Sequence, residues 1–200
     1  MEIFVKLNDS IYFHSDTDLY VNQYLSSEVS WKEKNLKLFQ ETNIPNSDRS
    51  KFTIQTLDGN TSDVVIRLRI PDWIAGEALV TVNGQPFQVM EENNYLVLKN
   101  TWSDQDVIEV QLPMEVVAYD LPDHENTIAF KYGPVVLSAG LGTENMVETT
   151  TGVNVAIPNF AKVKDTILVS APSVKDWLAD INNNMVKAEG ELKFTLKNTD

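Results

Sequence analysis

Val64, Ile66, Leu68 and Ile70 alternate with Val65, Arg67 and Arg69. A period of two sends successive side chains to opposite faces, so this run predicts a strand with one face on a core and the other in water. Short runs rich in β-branched and aromatic residues recur at Ile11 to His14, Leu19 to Leu25, Leu36 to Thr42, Lys51 to Leu57, Leu79 to Val82, Tyr95 to Leu98 and Val107 to Leu112. Turn chemistry separates them: Ser15-Asp16-Thr17-Asp18, Asp58-Gly59-Asn60 and, most specifically, Asn83-Gly84, whose two residues both tolerate the positive φ of a type I′ hairpin. Strands this short at such regular intervals predict an all-β chain built on an antiparallel β-sandwich of jelly-roll type.

Leu112-Pro113-Met114 closes this set of strands, and Leu121-Pro122-Asp123 reads as a linker. The predicted organisation is a sandwich over residues 11–120 and a smaller, incomplete β-rich module with a short helix over 121–200. Within the second module, Gly133-Pro134 interrupts an apolar run from Ile128 to Leu137, and because proline donates no ladder hydrogen bond the run reads as a buried strand with a bulge. The helix is predicted from Ser173 to Ile181: Ser173 caps it, Asp176 follows three residues on, and Val174, Trp177, Leu178 and Ile181 share a face. Ile3, Phe4 and Leu7 also have helical spacing.

A chain of 200 residues buries a substantial core without covalent staples. It has no cysteine, which removes disulfides, zinc-thiolate sites and thiol nucleophiles and leaves the compartment open. With 29 acidic against 16 basic residues, the net charge of −13 repels phosphate backbones and anionic lipid, so nucleic acid and membrane are excluded as partners. No run reaches the roughly 18 apolar residues of a membrane helix.

Glycoside hydrolysis uses two carboxyl groups at a fixed separation, one with a raised pKa. Asp16 with Asp18, Glu91 with Glu92 and Asp104 with Asp106 are near neighbours, but all lie in turn-like segments and read as solvated turn carboxylates. His14 reads as a hydrogen-bonded residue at a sheet end, and His124 as an exposed linker residue; neither has a metal-ligand companion. No Gly-x-Ser-x-Gly elbow is present. Of four tryptophans, Trp73 and Trp102 read as plugs at strand ends, while Trp31 lies in what reads as a long connection.

Several phrases, in order, resemble one family. Asp9-Ser10-Ile11-Tyr12-Phe13-His14, Leu19-Tyr20-Val21-Asn22-Gln23-Tyr24, Ser30-Trp31-Lys32 and Gln40-Glu41-Thr42 are followed by Leu68-Arg69-Ile70-Pro71-Asp72-Trp73, Val82-Asn83-Gly84, Leu112-Pro113-Met114 and Tyr132-Gly133-Pro134. Together they resemble the region that leaves the catalytic barrel of the β-L-arabinofuranosidase-like glycoside hydrolases, family 127, and enters the β-sandwich behind it; the likeness covers residues 1 to about 140.

The resemblance implies that hydrolysis belongs to a helical barrel with a zinc-bound cysteine nucleophile and a glutamate acid/base, and that this chain begins just after that cysteine motif. Glu2 matches the glutamate that closes the motif, but without the cysteines it takes no role. No catalytic position and no cofactor carries over, the zinc site lying upstream. Residues 1–10 would be the remnant of the last barrel helix. Ile3, Phe4, Tyr12 and Trp31 would face the barrel or touch sugar, with exposed apolar surface around Ile3, Phe4, Val5 and Trp31. The implied partners are the catalytic barrel of the same polypeptide and arabinose-containing, plant-type glycans. The expected function is a non-catalytic accessory sandwich of a glycoside hydrolase; the alternatives are an independent carbohydrate-binding module or a cell-surface interaction domain.

Overall fold

The computed structural model describes residues 9–121, 124–140, 146–148, 156–158 and 168–199. The helical spacing at Ile3, Phe4 and Leu7, and the apolar patch around Ile3, Phe4 and Val5, lie outside those residues. The chain divides into two compact units, Met1–Glu115 and Val116–Asp200.

In the first unit, five strands form one sheet: β1 (Tyr12–His14), β2 (Asp18–Val21), β6 (Val65–Arg69), β10 (Tyr95–Lys99) and β9 (Met90–Glu92), in that order. Six form the other: β3 (Ser27–Trp31), β4 (Leu36–Thr42), β5 (Arg49–Thr56), β11 (Val107–Gln111), β7 (Leu79–Val82) and β8 (Gln85–Pro86). The alternation read at residues 64–70 is real, since Ile66 and Leu68 are fully buried while Arg67 and Arg69 stay partly exposed. Pairing is antiparallel throughout this unit except between β2 and β6, which run parallel with Leu19 beside Ile66 and Val21 beside Leu68. Parallel neighbours need a crossover, and here it passes through β3, β4 and β5 of the other sheet.

Both sheets contribute to one core. Leu19, Val21, Ile66, Leu68, Leu96 and Leu98 come from the five-stranded sheet, and Leu36, Leu38, Phe52, Ile54, Ile108 and Val110 from the six-stranded one, all within a single buried cluster. Burial of such a side chain contributes about 1.5–3 kcal/mol, so this cluster is the main stabilising element of the unit. Trp102 plugs a strand end as expected: it is fully buried and donates Nε1 to the Val64 carbonyl at 2.7 Å. Trp73 packs partly buried against the same core.

Asn83-Gly84 forms the expected turn, with φ of 51° and 76° and Val82 facing Gln85. A second such turn, Asn93-Asn94 at 51° and 63°, joins β9 to β10 with Glu92 facing Tyr95. Two differences from the sequence reading matter. Strand β2 stops at Val21, short of Leu25. Residues 27–31 are not a connection but strand β3, whose half-exposed alternation on a sheet edge left too weak a hydrophobic signal to recognise.

In the second unit, β12 (Val116–Leu121), β13 (His124–Tyr132) and β14 (Val135–Val136) form a three-stranded antiparallel sheet. Gly133-Pro134 is a hairpin turn, not a bulge in a continuous strand: Tyr132 faces Val135 across it. Gly133 has φ of 52° and proline holds the next φ negative, the sign pattern of a type II′ turn. Two short ladders follow, β15 (Met146–Glu148) with β16 (Ala156–Pro158), and β17 (Met185–Lys187) with β18 (Phe194–Leu196). The expected helix is present as α1 (Val174–Ala179), with Ser173 Oγ accepting from the Asp176 amide at 3.1 Å. It breaks at Asp180, and one further turn, α2 (Ile181–Asn184), continues to β17. Val116, Trp177 and Met185 are the buried centre of this unit.

Candidate functional site

Strands β1 and β3 are the outermost strands of their sheets on the same side of the sandwich, each with one neighbour among the described residues. Two side chains from β1 cross to the opposite sheet there. Tyr12 places its hydroxyl 2.9 Å from Ser27 Oγ on β3 and donates to Gln40 Oε1 on β4 at 3.1 Å. Burial pushes the Tyr12 phenol up, partly offset by the Ser27 hydrogen bond, so the hydroxyl stays protonated and able to donate. His14, two residues on and therefore on the same side of β1, sets its ring 4.9 Å from that of Trp31 at the end of β3, tilted by 43°.

Between these strands lies a hollow of about 470 Å³ with Leu19 in its lining. Tyr12, Phe13, His14 and Trp31 provide its rings, and Asp16, Glu33 and Lys34 its charges. The ring of Trp31 is half-buried against the core, while His14 is exposed. Lys34 holds its ammonium 5.7 Å from the Trp31 ring centre. This rim is positioned by the turn joining β3 to β4, a 3-10 turn at Lys32–Lys34 ending on Asn35 in the left-handed region at φ 54°. Asn35 Oδ1 accepts from the amides of Leu57 and Asp58, which ties that turn to the neighbouring reversal. His14 Nδ1 lies 3.1 Å from the Ser15 carbonyl, an acceptor only, so Nδ1 is the donor in that contact.

The structure thus brings together Tyr12 and Trp31, which the sequence singled out, and Ile3 and Phe4 lie outside the described residues. It adds His14, read from the sequence only as a sheet-end residue. The signal for it was the period of β1, which puts residues 12 and 14 on one side. His124 is on strand β13 rather than in a linker.

Four of the six paired carboxylates, Asp18, Glu92, Asp104 and Asp106, have structural partners. Asp18 is not a solvated turn residue: it is buried, and its Oδ2 accepts from Arg67 Nε at 2.6 Å. Burial alone would raise its pKa, but the Thr17 hydroxyl and the Arg67 guanidinium outweigh it and hold the carboxyl below its ordinary value, the opposite of what a glycosidase acid needs. Glu92 pairs with Arg67 from the other side at 2.9 Å. Asp104 accepts from the Thr56 amide, and Asp106 from the Ser103 amide and from Asn83. Among the described residues, no three His, Asp or Glu side chains are grouped to hold a metal ion.

Fold and site together define a two-sheet β-sandwich with an aromatic hollow between its edge strands. Residues 18–114 match, and belong to, the family described as "Beta-L-arabinofuranosidase, GH127 middle domain", so the chain carries a domain of the glycoside hydrolase family 127 enzymes. A solved structure of a GH127 β-L-arabinofuranosidase from Geobacillus stearothermophilus T6 is similar over 72% of this chain and 24% of its own, with a TM-score of 0.60 and 24% identity, a likeness of fold. A second GH127 β-arabinofuranosidase is 28% identical over 63% of this chain and 23% of its own, TM-score 0.54. A structure titled glycoside hydrolase is 26% identical over 73% of this chain and 28% of its own, also at 0.54. The chain therefore spans about a quarter of the length of these proteins. No curated protein matches it.

Proposed function

We propose that this chain is the non-catalytic sandwich portion of a β-L-arabinofuranosidase-like glycoside hydrolase, and that its partner is the catalytic barrel of the same polypeptide. The observation that carries this reading is the match of residues 18–114 to a middle domain, in relatives whose titles name arabinofuranosidases. Three of the paired carboxylates support it, because Asp18, Asp104 and Asp106 are committed to Arg67 and to backbone amides rather than free to act on a glycosidic bond. The zinc of the family's active site would belong to the barrel and not to these residues. Assay of the purified chain against an aryl β-L-arabinofuranoside tests the reading. Absence of turnover is the expected result; turnover lost on changing one of this chain's own side chains would overturn it.

A further inference from the structure

We infer that the hollow between β1 and β3 is a binding site for a neutral saccharide, with a sugar ring held against Trp31 and His14 and its hydroxyls bonded to Asp16 and Glu33. The proposal concerns this chain's own surface and does not depend on the presence of a barrel.

Four features of the lining select the ligand class. The volume of about 470 Å³ is within the range of pockets that enclose small molecules and is ample for one or two sugar rings. Sugar rings present a face of C–H groups, which pack on aromatic rings, and a rim of hydroxyls, which donate to carboxylates; the hollow offers both chemistries side by side. An anionic ligand is disfavoured, since Asp16 and Glu33 outnumber Lys34 in the lining and the whole chain carries −13. A cationic ligand is disfavoured too, because Lys34 already supplies the ammonium at the Trp31 ring. His14 adds a polar ring atom at Nε2, since Nδ1 is engaged by the Ser15 carbonyl.

The rigidity of the site strengthens the argument. Tyr12 bridges the sheets beside the hollow through Ser27 and Gln40, so the two edge strands are held at a fixed separation without a ligand. A preformed hollow avoids much of the ordering cost of binding, which weak saccharide ligands rarely offset.

The test is isothermal titration of the 200-residue chain with arabino-, xylo- and galacto-oligosaccharides, and with oligogalacturonate as an anionic control. The expected result is a dissociation constant of about 1 mM or tighter for at least one neutral oligosaccharide, weakened about tenfold or more by His14→Ala and by Trp31→Ala and unchanged by Tyr119→Ala in the second unit. Circular dichroism checks each variant's fold; because Trp31 packs on the core, His14→Ala, at an exposed position, decides the matter if Trp31→Ala unfolds. Silence with every neutral oligosaccharide, affinity unaltered by His14→Ala, or preferential binding of oligogalacturonate overturns the inference. Such a result leaves the accessory reading standing, as that one is judged by turnover.

Discussion

Asp18 and Arg67 meet across the parallel pair β2 and β6, Oδ2 to Nε at 2.6 Å, with only 13% and 15% of their side chains exposed. The guanidinium also reaches Glu92 and lies 5.5 Å from the Tyr20 ring, so one arginine joins strands on either flank of β6 within the five-stranded sheet. Removing the Asp18 charge leaves Arg67 with Glu92 alone, whose side chain is 58% exposed. Asp18→Asn should therefore cost about 1–3 kcal/mol, less than the loss of a fully buried pair.

This pair also sets a pH dependence. The folded-state pKa of Asp18 is held below its ordinary 3.8, so its charged form stabilises the fold fully above that value and ceases to as the pH falls through the folded value. In thermal melts, the gap between the native chain and Asp18→Asn should stay constant from neutrality to about pH 4 and close below it. A gap that persists to pH 2 would show that the amide disturbs packing instead.

Tyr12→Phe keeps the ring and removes the hydroxyl that links β1 to Ser27 and Gln40. Gln40 is only 2% exposed and would retain a single bond, from Nε2 to the Gln23 carbonyl. The expected loss is about 1–2 kcal/mol, read as a lower urea midpoint at unchanged slope.

How much of this was legible depends on which physical signal each residue carried. Strands whose inward positions are wholly apolar, such as β6 and β11, declared themselves through alternation, and Asn83-Gly84 through its turn chemistry. Strand β3 did not, because Ser27, Val29 and Trp31 face inward only partly at a sheet edge and Glu28 and Ser30 face water. The parallel pairing of β2 with β6 was invisible as well, since alternation specifies faces and not the direction of the neighbour. At the hollow, Tyr12 and Trp31 drew notice as aromatics, but their association with Asp16 and Glu33 arises only when edge strands of two sheets converge. Asp18 misled for the same reason: its turn-like surroundings suggested solvent, and Arg67, its partner, is 49 residues away.

Thr56 is 6% exposed, and its Oγ1 is buried without a hydrogen-bond partner. Its amide, which donates to Asp104 Oδ1, is unaffected by a change of side chain. Thr56→Val has nearly the same shape and removes the unpaired hydroxyl, so stability should be unchanged or higher by up to about 1 kcal/mol in urea titration.

In the second unit, Asn184 is 4% exposed and bonded at both ends of its amide: Nδ2 donates to the Trp177 carbonyl at 2.8 Å, and Oδ1 accepts from Asn198 Nδ2 at 2.9 Å. Trp177 in turn donates Nε1 to the Lys197 carbonyl, so the end of α1 and the segment after β18 are tied by polar bonds around one buried ring. Asn184→Ala removes two of these bonds and should cost about 2–3 kcal/mol. Asn184→Asp distinguishes the bonds from the volume. It replaces a buried donor with a carboxylate facing the Trp177 carbonyl, which places a charge where water is excluded and should destabilise more than alanine at neutral pH. Because the protonated acid regains a donor, the aspartate variant should recover towards native stability as the pH is lowered, whereas the alanine variant should not. Melting curves of both variants between pH 7 and pH 4 measure this; parallel curves would mean that the side chain acts by filling space and not through its amide.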